Sequence, residues 1–168
     1  DPAVIRDYHA KNPGTKFEIH LMVKNPEEVV TEWLIEGVGR IILHVEALTN
    51  IRSIEEACKE KNIELMFALL PETPAALALQ YINEVRHIQL LAVRPGFSGE
   101  GFQEAILEKI KFLKQHAASV IIEVDGGVSP YTIQEIKKAG ADIVVSSSYI
   151  FNSLFPRHAY EKLVKLAV

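Results

Sequence analysis

Six short stretches rich in β-branched and aliphatic residues, at 17–23, 40–45, 64–70, 87–93, 119–124 and 142–146, constrain this chain more than any other feature. They recur about every 23 residues, with one longer interval after the fourth, which is the spacing of strands that alternate with helices. Runs such as Ile41-Ile42-Leu43 and Val120-Ile121-Ile122 lack the apolar–polar alternation of a half-exposed strand. Strands buried on both faces of a parallel sheet read this way. The intervening segments carry helical spacing. Ile106, Ile110 and Leu113 share one face of a helix expected from Phe102, with Glu104, Glu108, Lys111 and Lys114 mostly opposite, and a last helix is expected over 159–166. Asn25-Pro26, Thr73-Pro74 and Ser129-Pro130 mark helix starts, Glu28 completes a capping box with Asn25, and Gly37 and Gly140 mark helix ends. Strict alternation predicts repeated right-handed βαβ units and a parallel sheet, either an open doubly wound sheet or a closed barrel. Six units are two short of an eight-stranded barrel, and complete barrels rarely fall below about 200 residues.

Composition narrows the function classes. The net charge is −4 and the basic residues are scattered, so no basic face is offered to a nucleic acid. A small anion remains compatible, because backbone N–H groups at helix N-termini hold phosphate without net positive charge. No apolar run approaches the roughly 20 residues of a membrane helix and no signal peptide is visible, so neither a membrane partner nor export is expected and the cytoplasm is the expected location. The single cysteine, Cys58, excludes an internal disulfide, and its charged neighbours place it on a helix surface as structural filler. With 168 residues, 48% of them hydrophobic, one domain over 1–168 is expected.

In either architecture chemistry gathers at the C-terminal ends of the strands. The last three tips are rich in glycine and serine: Gly96, Gly99 and Gly101, then Gly126-Gly127, then Ser147 and Ser148. One such loop is more simply a turn, but three in successive units favour a phosphate cradle. Asp125 is a carboxylate at a strand end whose capping alternative is weakened by Ser129. His20 ends an alternating strand and, taken alone, reads more often as a hydrogen-bonded core histidine than as a ligand. His44 carries the same ambiguity, and Glu46 is either a second carboxylate or solvated. Met22 and Met66 read as packing residues, and His9, His87 and His116 as surface positions.

The order His20-Leu21-Met22-Val23, Asn25-Pro26, His44-Val45-Glu46, Pro71-Glu72-Thr73-Pro74, Val93-Arg94-Pro95-Gly96-Phe97-Ser98-Gly99, Val124-Asp125-Gly126-Gly127 and Ser148-Tyr149-Ile150-Phe151 resembles the ribulose-phosphate 3-epimerases over essentially the whole chain. The resemblance implies a (β/α)8 TIM barrel, of which six βα units are present here, that interconverts ribulose 5-phosphate and xylulose 5-phosphate in the pentose phosphate pathway. It implies one divalent metal ion (Zn, Fe, Mn or Co) with His20 and Asp125 among its ligands, and Asp125 as one of two acid/base groups. His20, Met22, Gly96, Phe97, Ser98, Gly99, Gly126, Gly127, Ser147 and Ser148 are the implied substrate and phosphate contacts, and a homo-oligomer is expected. The chain departs from the family's pattern at Leu70, Leu91, Arg94, Glu100 and Ser147, where asparagine, methionine, asparagine, glutamine and glycine are usual. An epimerase for a related ketohexose 6-phosphate and a non-catalytic phosphosugar-binding relative are the alternatives. Residues 1–16 lack the family's His-x-Asp pair, so the N-terminal strand–helix–strand is expected to lie in about 45 to 60 residues before Asp1.

Overall fold

A computed structural model describes residues 1–94 and 101–168, which divide into two compact units, Asp1–Ala68 and Leu69–Val168. In the first unit helix α1 (Pro2–Lys11) precedes β1 (Phe17–Leu21), α2 (Pro26–Trp33), β2 (Val38–His44), α3 (Ile51–Glu60) and β3 (Glu64–Leu69, whose last residue opens the second unit). β1 pairs parallel with β2 and β2 parallel with β3, in chain order. In the second unit β4 (His87–Leu91), α4 (Ala105–His116), β5 (Ile121–Asp125), α5 (Ile133–Ala139), β6 (Ile143–Val145), α6 (Ser148–Phe151) and α7 (Pro156–Ala167) follow, again with parallel sequential pairing. Among the described residues neither unit shows the reversal of strand order that marks an open doubly wound sheet.

Burial explains why these stretches form strands. Met66, Phe67, Ala68 and Leu69 of β3 are fully buried on both faces, as their unbroken apolar run requires. The α4 face carrying Ile106, Ile110 and Leu113 is buried as its spacing predicts, and truncating one of these to alanine would cost about 2–5 kcal/mol. Gly140 ends α5 in the left-handed conformation.

Several local expectations are corrected. Cys58 is buried, because it shares the inner face of α3 with Ile54 one turn earlier, and burial pushes its thiol up to about 11. His9 is also buried: it packs on Gly37 (φ +90), where a Cβ would lie 2.7 Å from the imidazole Cγ. His87 is buried as the first residue of β4. Thr73-Pro74 leads into a 3-10 helix, Ala75–Gln80, rather than an α-helix. α4 begins at Ala105 rather than Phe102, because the Gln103 N–H is drawn back to the Ala92 carbonyl (3.0 Å). After Ser129-Pro130 the α-helix is delayed to Ile133, since the Thr132 hydroxyl closes a turn by accepting from the Ser129 N–H (3.0 Å) and donating to the Gly127 carbonyl (2.9 Å). Asn25 does not cap α2; its amide donates to the Glu28 carboxylate instead.

Polar groups on the strands are paired along the register. Glu18, Arg40 and Glu64 face one another across β1, β2 and β3, and Arg40 donates to both carboxylates, with Nε 2.9 Å from Glu64 Oε2. In the second unit Gln89 stands opposite Glu123 and donates to it at 2.7 Å, both buried. Lys109 of α4 donates to the carbonyls of Leu70, Pro71 and Thr73, pinning the loop after β3. Among the described residues no helix is long and apolar enough to cross a membrane.

Candidate active site

The second unit brings Asp125, Gly126, Gly127, Ser147 and Ser148 of the expected site to neighbouring strand ends. Asp125 closes β5, half-buried, with its carbonyl accepting from the Ala92 N–H at 2.7 Å. The chain then turns through Gly126 (φ +100) and Gly127 (φ +65). A Cβ on Gly126 would lie 2.5 Å from Val93 Cγ2, and one on Gly127 would lie 2.9 Å from Phe102 Cβ. Both positions thus demand glycine twice over, for backbone conformation and for space. That close approach leaves no room for a side chain at either position of the β5 tip.

β6 runs beside β5 with Val145 opposite Asp125. Just beyond it the Ser146 hydroxyl donates to the Val128 carbonyl at 2.9 Å, which ties the two tips together. Ser147 and Ser148 follow, exposed, at the start of α6, where first-turn amides have no intrahelical acceptor. Asp125, Gly126, Gly127, Ser147 and Ser148 therefore sit on adjacent tips of one sheet, as the sequence suggested. The expected residues Gly96, Phe97, Ser98 and Gly99 lie outside the described residues.

In the first unit His20 is the penultimate residue of β1, half-buried, and Met22 lies just past the strand, 54% exposed. Met22 is therefore not a packing residue, whereas Met66 is fully buried. His20 Nε2 stands 2.9 Å from Nε2 of His44, at the end of β2. The rings lie 22° from parallel with centroids 5.0 Å apart, so the nitrogens lie between the centroids and the rings meet edge to edge. On its far side, His44 Nδ1 is 3.3 Å from Glu46 Oε2, in a 3-10 turn over Val45–Ala47. Sequence reasoning left His44 and Glu46 unresolved, yet a signal existed. His20 and His44 are 24 residues apart, one strand-to-strand interval, which places them at equivalent tips of neighbouring strands.

His20 belongs to the first unit and Asp125 to the second. Among the described residues no three His, Cys, Asp or Glu side chains gather as a metal cluster. His20 itself suits a metal in one respect: an imidazole whose second nitrogen is held by a polar neighbour is the usual form of a ligating histidine.

The sequence profile of the ribulose-phosphate 3 epimerase family matches residues 3–151. The ribulose-phosphate 3-epimerase of Chlamydia muridarum is 35% identical over 140 residues, covering 80% of this chain and 61% of the relative. That of Schizosaccharomyces pombe is 28% identical over 159 residues, covering 95% of this chain and 69% of the relative. The chain thus spans about three fifths of the length of the first of these. Among solved structures, KGPDC from Streptococcus mutans superposes with a TM-score of 0.82 at 15% identity, covering 98% of this chain and 78% of the other. At that identity the likeness speaks to fold alone, and the fold class is the parallel α/β TIM barrel.

Proposed function

The chain belongs to the ribulose-phosphate 3-epimerase family, and we propose on that basis that the protein interconverts ribulose 5-phosphate and xylulose 5-phosphate by moving the proton at C3. The observation that carries this reading is the pairing of a half-buried carboxylate, Asp125, with two obligatory glycines at a tip hydrogen-bonded to the serine-rich tip beside it. Backbone amides at Gly126, Gly127, Ser147 and Ser148 suit a phosphate dianion, which needs donors more than side-chain charge. A sugar held by its phosphate there would bring its backbone carbons over the neighbouring strand ends, among which is Asp125.

The C3 proton is acidified by the adjacent C2 ketone. The Asp125 carboxylate takes it from one face, leaving an enediolate, and return of a proton to the opposite face inverts the centre. Geometry matters more than basicity here, and Asp125 is held by a strand whose last carbonyl is hydrogen-bonded and by a turn that admits no side chain. His20 and Asp125 are the ligands the family resemblance implies for a divalent metal, and imidazole with carboxylate suits Zn, Fe, Mn or Co. Such a metal, when bound, stabilises negative charge developing on oxygen.

Asp125→Asn tests the assignment. The purified variant should keep its melting temperature, bind ribulose 5-phosphate by calorimetry, and lose at least about 100-fold in epimerisation rate, the low end of what a positioned acid/base contributes. An unchanged rate removes Asp125 from the mechanism. A wild-type protein that binds the sugar phosphate but exchanges no C3 proton with deuterated water would instead be a phosphosugar-binding relative.

A further inference from the structure

Lysine side chains ordinarily leave their charge in water, but Lys109, on the flank of the buried face of α4, is half-buried and turns its ammonium onto backbone. Its Nζ donates to the carbonyls of Leu70 (3.1 Å), Pro71 and Thr73, so the acceptors of one short loop converge on a single point. Carbonyl oxygens gathered this closely repel one another unless a positive charge lies between them. The Leu70 carbonyl also accepts from the Thr73 N–H at 3.1 Å, so the ammonium closes on a turn. An ammonium suits such a cage because it is a compact charge with three donors, whereas the donors of a guanidinium diverge in one plane. Converging backbone carbonyls are also how proteins hold a dehydrated K+.

The same helix is tied to the candidate site. The Ala92 N–H donates to the Asp125 carbonyl (2.7 Å), and the Ala92 carbonyl accepts from the Gln103 N–H (3.0 Å), just before α4 begins. Phe102 lies against the turn after β5, where a Cβ on Gly127 would stand 3.0 Å from its Cα. α4 is thus bonded near its start to the Asp125–Gly127 tip and through Lys109 to the loop after β3. We infer that Lys109 is a positioning residue whose ammonium acts as a built-in monovalent cation, fixing the loop over 70–73 in register with the Asp125 tip. Its effect on a ligand rests on the phosphosugar reading of that tip, whereas the carbonyl cage does not.

The test compares the whole protein with Lys109→Ala in chloride salts of tetramethylammonium, ammonium and K+ at equal ionic strength. In tetramethylammonium, which is too large for the cage and has no donor, the Thr73 amide of the variant should exchange with deuterated water about 10- to 100-fold faster than in wild type, the worth of a hydrogen bond to a charged group. Ammonium or K+ should restore most of the protection along a saturable curve and leave wild type unchanged. Calorimetry with ribulose 5-phosphate should show about 10-fold weaker binding by the variant, recovering in parallel with the loop. Lys109→Arg, which keeps the charge without the converging donors, should recover less than ammonium does. Unchanged Thr73 exchange in the variant, or an equal response to all three cations, overturns the inference. Wild-type spectra keep the question open to refutation should the variant fold poorly: the Lys109 side-chain protons should exchange slowly enough to give a 15N–1H signal, and fast exchange there overturns the cage. A wild type that does not bind ribulose 5-phosphate, in a protein whose loop ammonium still restores, would sink the phosphosugar reading and leave the cage standing. Tight binding by wild type and equally by the unrescued variant would do the reverse, removing Lys109 as a positioning residue.

Discussion

Glu27 offers the sharpest quantitative test of the first unit. It sits in the first turn of α2, and its Oε1 accepts from the Thr49 N–H (2.7 Å), the Thr49 hydroxyl (3.0 Å) and the Asn50 N–H (2.9 Å). Those donors lie at the N-terminus of α3, where Asn50 makes no capping bond with its own side chain. Glu27 is thus a cap supplied by a neighbouring helix. Burial alone would push its carboxyl up, but the N–H groups of Asn50 and Thr49 outweigh this and lower it to about 2. Hydrogen bonds to a charged group contribute about 1.5–3 kcal/mol each when dry, and a lost helix cap costs about 0.5–2 kcal/mol. Because water reaches this carboxylate, the lower scale applies, and Glu27→Ala should cost about 1–2 kcal/mol. At about 2–4 °C per kcal/mol, its melting temperature should fall by about 2–8 °C. Glu27→Gln keeps an acceptor and should lose about half as much. The sign of the pH dependence follows from a folded pKa below the unfolded value. The stabilisation is complete above the ordinary carboxyl value of 4.5 and disappears as pH falls toward about 2. Urea midpoints of wild type and Glu27→Gln should therefore differ by a constant amount from neutral pH to about 5 and converge below it. A gap that persists undiminished at the acid end, or an alanine variant as stable as wild type, would refute the cap.

Arg40→Leu should destabilise by about 2–3 kcal/mol in urea unfolding, below the 3–5 of a fully buried pair because Glu18 and Glu64 remain 32% and 38% exposed. Adding Glu18→Gln and Glu64→Gln should restore most of the loss, and a triple variant no better than the single would sink the ion-pair account. Gly126→Ala forces a side chain into φ +100 and against Val93, and should weaken inorganic phosphate binding about 10- to 100-fold, the worth of one amide bond to a charged ligand. Calorimetry on the double variant with Val93→Ala should show partial recovery, since only the contact and not the backbone strain is relieved.

The strands were legible because their apolar runs are long and their spacing regular, whereas their ends were not. β1 stops at Leu21 because its last register partner is Leu43, a fact of pairing that Met22 and Val23 do not advertise. Cys58 was misplaced for a related reason: the charges beside it in sequence lie on other sides of α3, and only the turn shared with Ile54 faces inward. The place of Asp125, Gly126 and Gly127 at a strand end could be read from residue type and position, since an apolar run closing on a carboxylate and paired glycines marks where a strand stops. His44 and Glu46 were visible as residues but not as partners of His20, because that contact crosses strands and depends on register.

A parallel sheet covered on both faces leaves strand polar groups little water, so each must find a partner or sit at an end. The two units meet this demand in the same sequence of steps. In the first, Glu18, Arg40 and Glu64 close on one another in a single row, and two residues further along β1 comes His20. In the second, Gln89 and Glu123 close on one another, and two residues further along β5 comes Asp125. Two residues is one pleat, so His20 and Asp125 share a face with the row beneath them. The lower row spends its charge on neighbouring strands and supports the sheet. The upper row lies where pairing stops and the loops begin, and there a histidine or a carboxylate can serve a ligand. Position along the strand therefore divides the work: substitutions at Arg40 or Glu123 should register first in unfolding curves, and those at His20 or Asp125 in binding and turnover.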